Sequence, residues 1–307
     1  MVTATSVGNK MWFGTREYMQ WIDTPKAGAD VSPDSWSAGG TLLNGGGWQK
    51  NAFASHKTYR FAWRDSSARI AAQIMHSYRD GTWGEGLIYF VDPLTYTTNI
   101  LPKGWADPSL AARGGASLIP GIIPTVSKKA PGLDTPQDFR LQNYPLMWAN
   151  YAIPAGAPRT GKRLFVPIPE GFSLHLGVVW TGSDNTYMAG RRVKEDGTFG
   201  PVFKIESVPA HDGRVTRNNI LGNGDAGIEI WVQKDGNLAG AISLKAMTAR
   251  VQPEFKAPDA ISRGPWIGGQ GNSGCRFEGA PTYIEHNGVG GGQVGYAASF
   301  KEVGSWE

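Results

Sequence analysis

The sequence predicts a mainly β protein, and three observations support this fold class. Glycine and proline are abundant, with 42 and 20 residues of 307, and they are spread along the whole chain, which is typical of many tight turns. Short apolar runs with period-two alternation lie between these turns, whereas only one segment has clear helical periodicity. A hydrophobic content of 40% with 18% charged residues is that of a folded chain.

The first strands are predicted from alternation and from turn residues. Met11 to Trp21 alternates loosely and predicts a strand pair that bends near Gly14. Lys57 to Trp63 alternates cleanly, so that its aromatic side chains share one side of a strand. Leu87 to Val91 is a short β-branched and aromatic run that Asp92-Pro93 closes. These segments predict an N-terminal β-rich domain.

One short helix is predicted, over Ser66 to Arg79. Its apolar residues recur at helical spacing, a serine at position 66 or 67 can cap its first turn, and Asp80-Gly81 ends it. We expect this helix to cover one face of the first sheet. Its predicted apolar face consists of Ile70, Ile74, Met75 and Tyr78.

A Pro/Gly-rich connector is predicted over residues 111–160. Proline and glycine recur there and regular patterns weaken, although Ser117 to Ile123 is typical of a strand. Because 307 residues are many for one core, we place the domain boundary here. The predicted division is an assembly domain over 1–110, the connector, and a second domain over 161–307.

The second domain is predicted to be a β-sandwich of the jelly-roll or galectin-like type. Strand patterns recur about every ten to fifteen residues, as in such sandwiches. The clearest are Leu164 to Ile168, Ser173 to Thr181 and Gly227 to Gln233. Asp196-Gly197 and Asp235-Gly236 are typical turn dipeptides between strands.

Charge and hydropathy argue against nucleic-acid and membrane functions. The net charge is +4 and the pI about 9.1, without a long lysine and arginine block, so no nucleic-acid partner is expected. The first residues lack the pattern of a secretory signal, and no apolar run approaches the roughly 20 residues that span a bilayer. The only cysteine, Cys275, is interpreted as an inert thiol, buried or in a loop.

Catalytic, cofactor and metal motifs are not found in the sequence. It contains neither G-x-S-x-G nor H-E-x-x-H, and its five histidines do not have the spacing of zinc ligands. Asp225 and Glu229 are four residues apart in a segment that is predicted as a turn entering a strand. Residues four apart on a strand are separated by roughly 13 Å, too far for a retaining glycosidase pair. We therefore expect no enzymatic activity, no cofactor and no metal.

Six fragments of the sequence carry a resemblance to a known family. They are FGTREYMQWI (13–22), LLNGGGW (42–48), SHKTYRFAW (55–63), DGTWGEGLIYFVDP (80–93), NILPKGWADP (99–108) and GYAASFKEVGSWE (295–307). In their order along the chain, these fragments resemble the minor tail proteins of siphophages that infect actinobacteria, a family that includes distal-tail-like tail-tip proteins. The resemblance is concentrated before residue 110 and at the C-terminus, and it covers about half of the chain.

This resemblance implies a virion component at the tail tip. Such a protein would assemble in the host cytoplasm as a homo-oligomeric ring and link the tail tube and other tail-tip proteins to the adsorption apparatus. Rings of this kind form when head-to-tail contacts close. We expect tryptophans in loop-like or turn-like settings to anchor the subunit interfaces. They are Trp12, Trp21, Trp36, Trp48 and Trp105.

The alternative is a carbohydrate-binding module or lectin that contacts host cell-wall glycans. Sugar sites place an aromatic ring beside polar side chains, and the second domain offers such combinations. Trp180 and Trp231 lie in apolar runs, where core packing is the favoured interpretation. The expected glycan contacts are Trp266, Tyr187, Asp184 and Asn185.

Overall fold

The computed structural model describes fifteen stretches of the chain: residues 10–25, 30–34, 37–41, 47–51, 56–84, 86–91, 99–113, 115, 117–128, 147–157, 160–207, 215–222, 224–253, 274–286 and 293–303. The strands are β1 (Lys10–Thr15), β2 (Met19–Asp23), β3 (Asp30–Asp34), β4 (Ser37–Thr41), β5 (Gly47–Asn51), β6 (His56–Arg64), β7 (Ile88–Val91), β8 (Thr125–Ser127), β9 (Trp148–Ile153), β10 (Leu164–Pro167), β11 (Phe172–Gly182), β12 (Thr186–Val193), β13 (Phe203–Ser207), β14 (Val215–Leu221), β15 (Gly227–Lys234), β16 (Gly240–Pro253), β17 (Cys275–Phe277), β18 (Thr282–His286) and β19 (Gln293–Glu302). The helices are α1 (Asp65–Arg79), α2 (Lys103–Ala106) and α3 (Pro108–Arg113). The predicted mainly β class is confirmed.

The first sheet is built from both ends of the chain. Its strands follow the order β2-β1-β7-β17-β19-β6-β3, and β18 also pairs with β19. Strand β19 lies antiparallel to β6, with Phe300 opposite Tyr59. The range predicted for the second domain, 161–307, includes β17 to β19, yet these strands belong to the first sheet. Apolar side chains of β17 and β19 pack into the same core as α1. The boundaries at 110 and 160 stay a prediction.

Helix α1 covers one face of this sheet, as expected. Ile74, Met75 and Tyr78 are buried against it, whereas Ile70 is 51% exposed and does not belong to the packed face. The helix begins at Asp65 after the extended residue Arg64, without a side-chain cap. The predicted serine cap is therefore wrong. Ser67 instead donates a hydrogen bond to Asp23 Oδ2 at 2.8 Å, which ties the helix start to β2. The predicted end at Asp80 and Gly81 is confirmed.

The bend that is predicted near Gly14 lies at the end of β1, where Gly14 is the next-to-last residue of the strand. Gly14 has a φ of +155°, and a Cβ there would lie 2.0 Å from the carbonyl oxygen of Tyr18. Only glycine allows the β1–β2 turn to approach so closely. In this turn Glu17 and Tyr18 are exposed and Arg16 is half-buried.

Two further sheets form the predicted sandwich. One follows the order β10-β15-β12-β13 and the other β14-β11-β16-β9-β8. Alternate side chains from both sheets meet in a shared core, which includes Ile228 and Ile230 from β15 and Leu174 and Leu176 from β11. The Asp235-Gly236 turn joins β15 to β16, which lie in different sheets. This turn therefore crosses the sandwich and does not close a hairpin.

The predicted connector contains ordered structure in its described parts. Strands β8 and β9 pair with each other, and β9 also pairs with β16 of the sandwich. The strand predicted over Ser117 to Ile123 is wrong. This segment is a turn in which the Ser117 hydroxyl donates hydrogen bonds to the carbonyl oxygens of Ile119 and Ile122. Helices α2 and α3 were not expected, because each is too short for a periodic pattern.

None of the helices that the structure describes is long and apolar enough to cross a lipid bilayer.

The Cys275 thiol is buried at 0% exposure, in agreement with the interpretation as an inert residue. Burial raises the pKa of this thiol well above its usual value, and the nearby Glu302 carboxylate acts in the same direction. Since the thiolate is the reactive form, we expect a disulfide reagent such as 5,5′-dithiobis(2-nitrobenzoate) to label Cys275 only after the protein is unfolded in guanidinium. Rapid labelling of the folded protein would contradict this expectation.

Candidate functional site

The tryptophans predicted as interface anchors differ in burial. Trp12 is 4% exposed and Trp105 is 0% exposed, and both lie in the core that the sandwich shares with the back of the first sheet. Neither can anchor a neighbouring subunit, which corrects the expectation for these two residues. Trp21 is half-buried, and its ring packs against Trp12 and Phe172. Trp48 lies in β5, where only the backbone is described, and Trp36 lies outside the described residues.

A buried carboxylate links the first sheet to the sandwich. Glu229 is 1% exposed on β15. Its Oε2 accepts a hydrogen bond from Arg191 Nε at 2.6 Å, and its Oε1 lies 2.6 Å from Arg16 Nη1. Arg191 belongs to the neighbouring strand β12, whereas Arg16 reaches over from the β1–β2 turn. We call Arg16, Arg191, Phe199 and Glu229 the Glu229 clasp.

The clasp includes an aromatic ring that contacts both of its arginines. The guanidinium carbon of Arg191 lies 3.5 Å from the centroid of the Phe199 ring, and that of Arg16 lies 4.8 Å from it. Such cation–π contacts are attractive. Close by, a Cβ at Gly197 would lie 3.2 Å from Glu17 Cγ. The β1–β2 turn is therefore packed tightly against the loop that follows β12.

The clasp was not predicted from the sequence. Asp225 and Glu229 were considered only as a carboxylate pair, but in the structure both carboxylates are paired with arginines. Asp225 pairs with Arg192 at 2.9 Å, and Glu229 pairs with Arg16 and Arg191. Arg16 is more than 200 positions from Glu229 in the sequence, and no local pattern connects the two.

The sandwich residues predicted to contact a glycan lie partly together. The Tyr187 hydroxyl donates a hydrogen bond to Asp235 Oδ1 at 3.0 Å, and the amide nitrogen of Asp235 donates to the carbonyl oxygen of Asn185 at 2.8 Å. Lys204 Nζ lies 4.4 Å from the centroid of the Tyr187 ring. We call Asn185, Tyr187, Lys204 and Asp235 the Tyr187 cluster. Asp184 is exposed in the adjoining turn, and Trp266 lies outside the described residues.

The polar atoms of the Tyr187 cluster already have partners within the chain. Asn185 Oδ1 accepts a hydrogen bond from Ser183 Oγ at 2.7 Å, and its Nδ2 donates to the carbonyl oxygen of Ala239 at 3.2 Å. Partial burial raises the pKa of Tyr187, as does its hydrogen bond to the Asp235 carboxylate. The Tyr187 ring is half-buried, and the Lys204 ammonium lies over it.

Trp180 and Trp231 are core residues, as the sequence favoured. They are 0% and 2% exposed. Trp231 Nε1 donates a hydrogen bond to Gln233 Oε1 at 2.7 Å, which satisfies its buried polar atom. Neither ring is available to a sugar.

A groove beside the last turns of α1 was not predicted. Its volume is about 490 Å³, and a second cavity of about 390 Å³ shares Arg79 and Asp80 with it. We call the larger one the α1 groove. It is lined by Ala72, Met75, His76, Arg79, Asp80, Pro281, Tyr283 and Tyr296. Within the part of the chain that the structure describes, no group of three or more His, Cys, Asp or Glu residues could hold a metal ion.

Comparisons with known proteins do not assign a family. No family model and no curated protein matches the chain. Among solved structures, the chain is similar to the CBM22-1 xylan-binding domain from Paenibacillus barcinonensis Xyn10C, with 9% identity and a TM-score of 0.29 over 43% of this chain and 83% of that domain. It is also similar to infectious bursal disease virus VP2 from a subviral particle, with 11% identity and a TM-score of 0.26 over 98% of this chain and 78% of that chain. At TM-scores this low, neither similarity carries an argument about function.

Proposed function

We propose that this protein is a structural component of a bacteriophage tail tip, where copies of it form a ring that links the tail tube to the adsorption apparatus. One observation carries the proposal: fragments that resemble minor tail proteins and are far apart in the sequence lie side by side in the first sheet. The fragments at 55–63 and 295–307 are about 240 positions apart in the sequence. They contain most of β6 and of β19, and within them these strands are hydrogen-bonded neighbours from Thr58 opposite Lys301 to Trp63 opposite Tyr296.

Two of the other early fragments belong to the same sheet. The fragment at 13–22 contains the second half of β1 and most of β2, and that at 80–93 contains β7. These strands share the sheet with β6 and β19. The fragment at 99–108 contains α2 and packs into the sandwich core, and the described part of that at 42–48 lies in β5, which pairs with β4. Four of the six fragments, split along the sequence, thus meet in one sheet, which supports a common origin of that sheet with tail proteins.

The proposed mechanism is geometric and involves no catalysed reaction. Identical subunits close a ring when each contacts the next with the same rotation. The Glu229 clasp favours this role, because it holds the first sheet and the sandwich of each subunit in one orientation. Since Trp12 and Trp105 are internal, the contacts would use other apolar side chains that are exposed in the described residues. These include Tyr18, Ile70, Phe199, Val202 and Leu238.

Assembly is the direct test of this proposal. We expect native mass spectrometry of the purified full chain to give a homo-oligomer of one defined copy number, in equilibrium with monomer at low concentration. We also expect antibodies against the protein to label the tail tips of purified phage particles in electron micrographs. A strict monomer at high concentration, together with particles that lack the protein, would refute the proposal.

A carbohydrate-binding role is the second candidate, and the Tyr187 cluster favours it. A half-buried tyrosine ring beside a carboxylate, an amide and an ammonium group is the composition that such sites use. The discriminating measurement is titration with host cell-wall polysaccharide. Binding that the Tyr187→Ala variant loses would support this candidate.

A further inference from the structure

The α1 groove lies where the helix ends above two paired strands. Tyr283 of β18 is directly opposite Tyr296 of β19, and directly paired residues share one face of a sheet. Tyr296 is 5% exposed and packs into the core beneath α1, whereas Tyr283 is 48% exposed. Because α1 stops at Arg79, it leaves the Tyr283 ring uncovered at the mouth of the groove.

Charged and polar side chains border the same mouth. Asp80 Oδ1 accepts hydrogen bonds from the Thr82 amide at 3.1 Å and from the Thr82 hydroxyl at 2.7 Å. These bonds lower the pKa of Asp80, so the carboxylate is charged at neutral pH. Its other oxygen lies 3.7 Å from His76 Nδ1. The groove therefore has a hydrogen-bond acceptor in a fixed position, the Asp80 carboxylate, beside the His76 imidazole.

The Arg79 guanidinium adds a group of hydrogen-bond donors. Among the described residues, none forms an ion pair or a hydrogen bond with it, and it borders both cavities. Burial raises the pKa of Tyr296 to about 12, against the opposing effect of the Arg79 charge. The Tyr296 hydroxyl consequently stays protonated at neutral pH.

We propose that the α1 groove binds a saccharide of one or two sugar units. A sugar ring has an apolar face of C–H groups and a rim of hydroxyls. Tyr283 offers an exposed ring to that face, while Arg79, Asp80 and His76 offer donors and an acceptor to the rim. A volume of about 490 Å³ lies within the range of roughly 300–1,000 Å³ that is usual for small-ligand sites.

The charges at the mouth disfavour an apolar peptide as the occupant. Such a segment would desolvate Arg79 and Asp80 without replacing their hydrogen bonds to water, which is costly. Sugar hydroxyls can replace those bonds. The proposal is independent of ring assembly, because a single chain contains every residue that lines the groove.

Saturation-transfer NMR on the full chain tests the proposal. The probes are D-glucose, D-galactose, D-mannose, D-arabinose, N-acetyl-D-glucosamine and D-glucuronic acid. We expect at least one of them to bind with a Kd of about 1 mM, with the strongest saturation at ring C–H protons. Tyr283→Ala and Arg79→Ala should each weaken binding by about tenfold, which is the loss of one favourable contact.

Ile284→Ala is the matched control. Ile284 follows Tyr283 on β18 and is also 48% exposed, but successive side chains of a strand point to opposite faces. Its binding should equal that of the unchanged protein, and circular dichroism should show that all three variants are folded.

Three outcomes would overturn the proposal. The first is that none of the six sugars shows saturation transfer, and the second is that Ile284→Ala weakens binding as much as Tyr283→Ala does. The third is that Tyr187→Ala removes binding and Tyr283→Ala does not, since the sugar would then lie at the Tyr187 cluster. None of these results bears on ring assembly, which the native mass measurement decides separately.

Discussion

Replacing Glu229 with glutamine is expected to lower the free energy of unfolding by about 3 kcal/mol. Removing one partner of a buried ion pair costs about 3–5 kcal/mol, because the remaining charge is left without compensation. Here two arginines lose their counter-charge at once. The lower end of the range applies because the Arg16 side chain is 41% exposed, so water solvates part of the charge that remains.

Equilibrium unfolding in urea measures this effect without the ionic screening that guanidinium would add. Asp225→Asn is the matched control, because it removes the carboxylate of the neighbouring Arg192 pair, whose side chains are 28% and 18% exposed. Its cost should stay below about 1 kcal/mol. If both variants unfold at the same urea concentration as the unchanged protein, the clasp does not stabilise the fold.

Replacing Phe300 with alanine is expected to destabilise the first sheet by about 3–5 kcal/mol, the usual cost of truncating a buried aromatic side chain. Phe300 is 0% exposed. The centroid of its ring lies 5.6 Å from that of Phe13, 5.4 Å from that of Phe61 and 4.8 Å from that of Phe277. A change near the C-terminus should therefore loosen strands that lie near the N-terminus.

Amide hydrogen exchange can locate this effect. In Phe300→Ala, the amides of β6 should lose protection, since β6 pairs with β19 along seven residue pairs. Val303→Ala is the control, because Val303 lies three positions later and is 42% exposed. It should change stability by no more than about 0.5 kcal/mol. Unchanged β6 protection in Phe300→Ala would show that the last strand does not stabilise the first sheet.

Local patterns predicted the elements whose side chains repeat along one segment. Strand β6 was expected over Lys57 to Trp63 and runs from His56 to Arg64, and α1 was expected one residue short of its true start. Strands β11 and β15 were found with similar accuracy. The apolar residues of β6 recur every second position and those of α1 recur at helical spacing, and both periods are properties of neighbouring residues.

The predicted sites depended more on tertiary structure. Trp12 and Trp105 are in settings that look like turns along the chain, but the space between the first sheet and the sandwich encloses them. The expectation that Tyr187 and Asn185 contact a glycan stays a prediction, since it rests on residues that are close together in the sequence. The contact of Tyr187, in β12, with Asp235, in the turn after β15, joins residues that are 48 positions apart.

The sequence by itself determined the mainly β class, most strands of the sandwich and the position of α1, because the period of apolar residues sets which local structure can bury them. Only the tertiary structure decided that β19 completes the sheet of β6, that Arg16 reaches Glu229, and that Tyr283 lies beside Arg79. Those contacts join segments whose patterns are equally compatible with other partners. Which partner a strand edge takes depends on the free energy of the whole packed core, and no stretch of neighbouring residues encodes it.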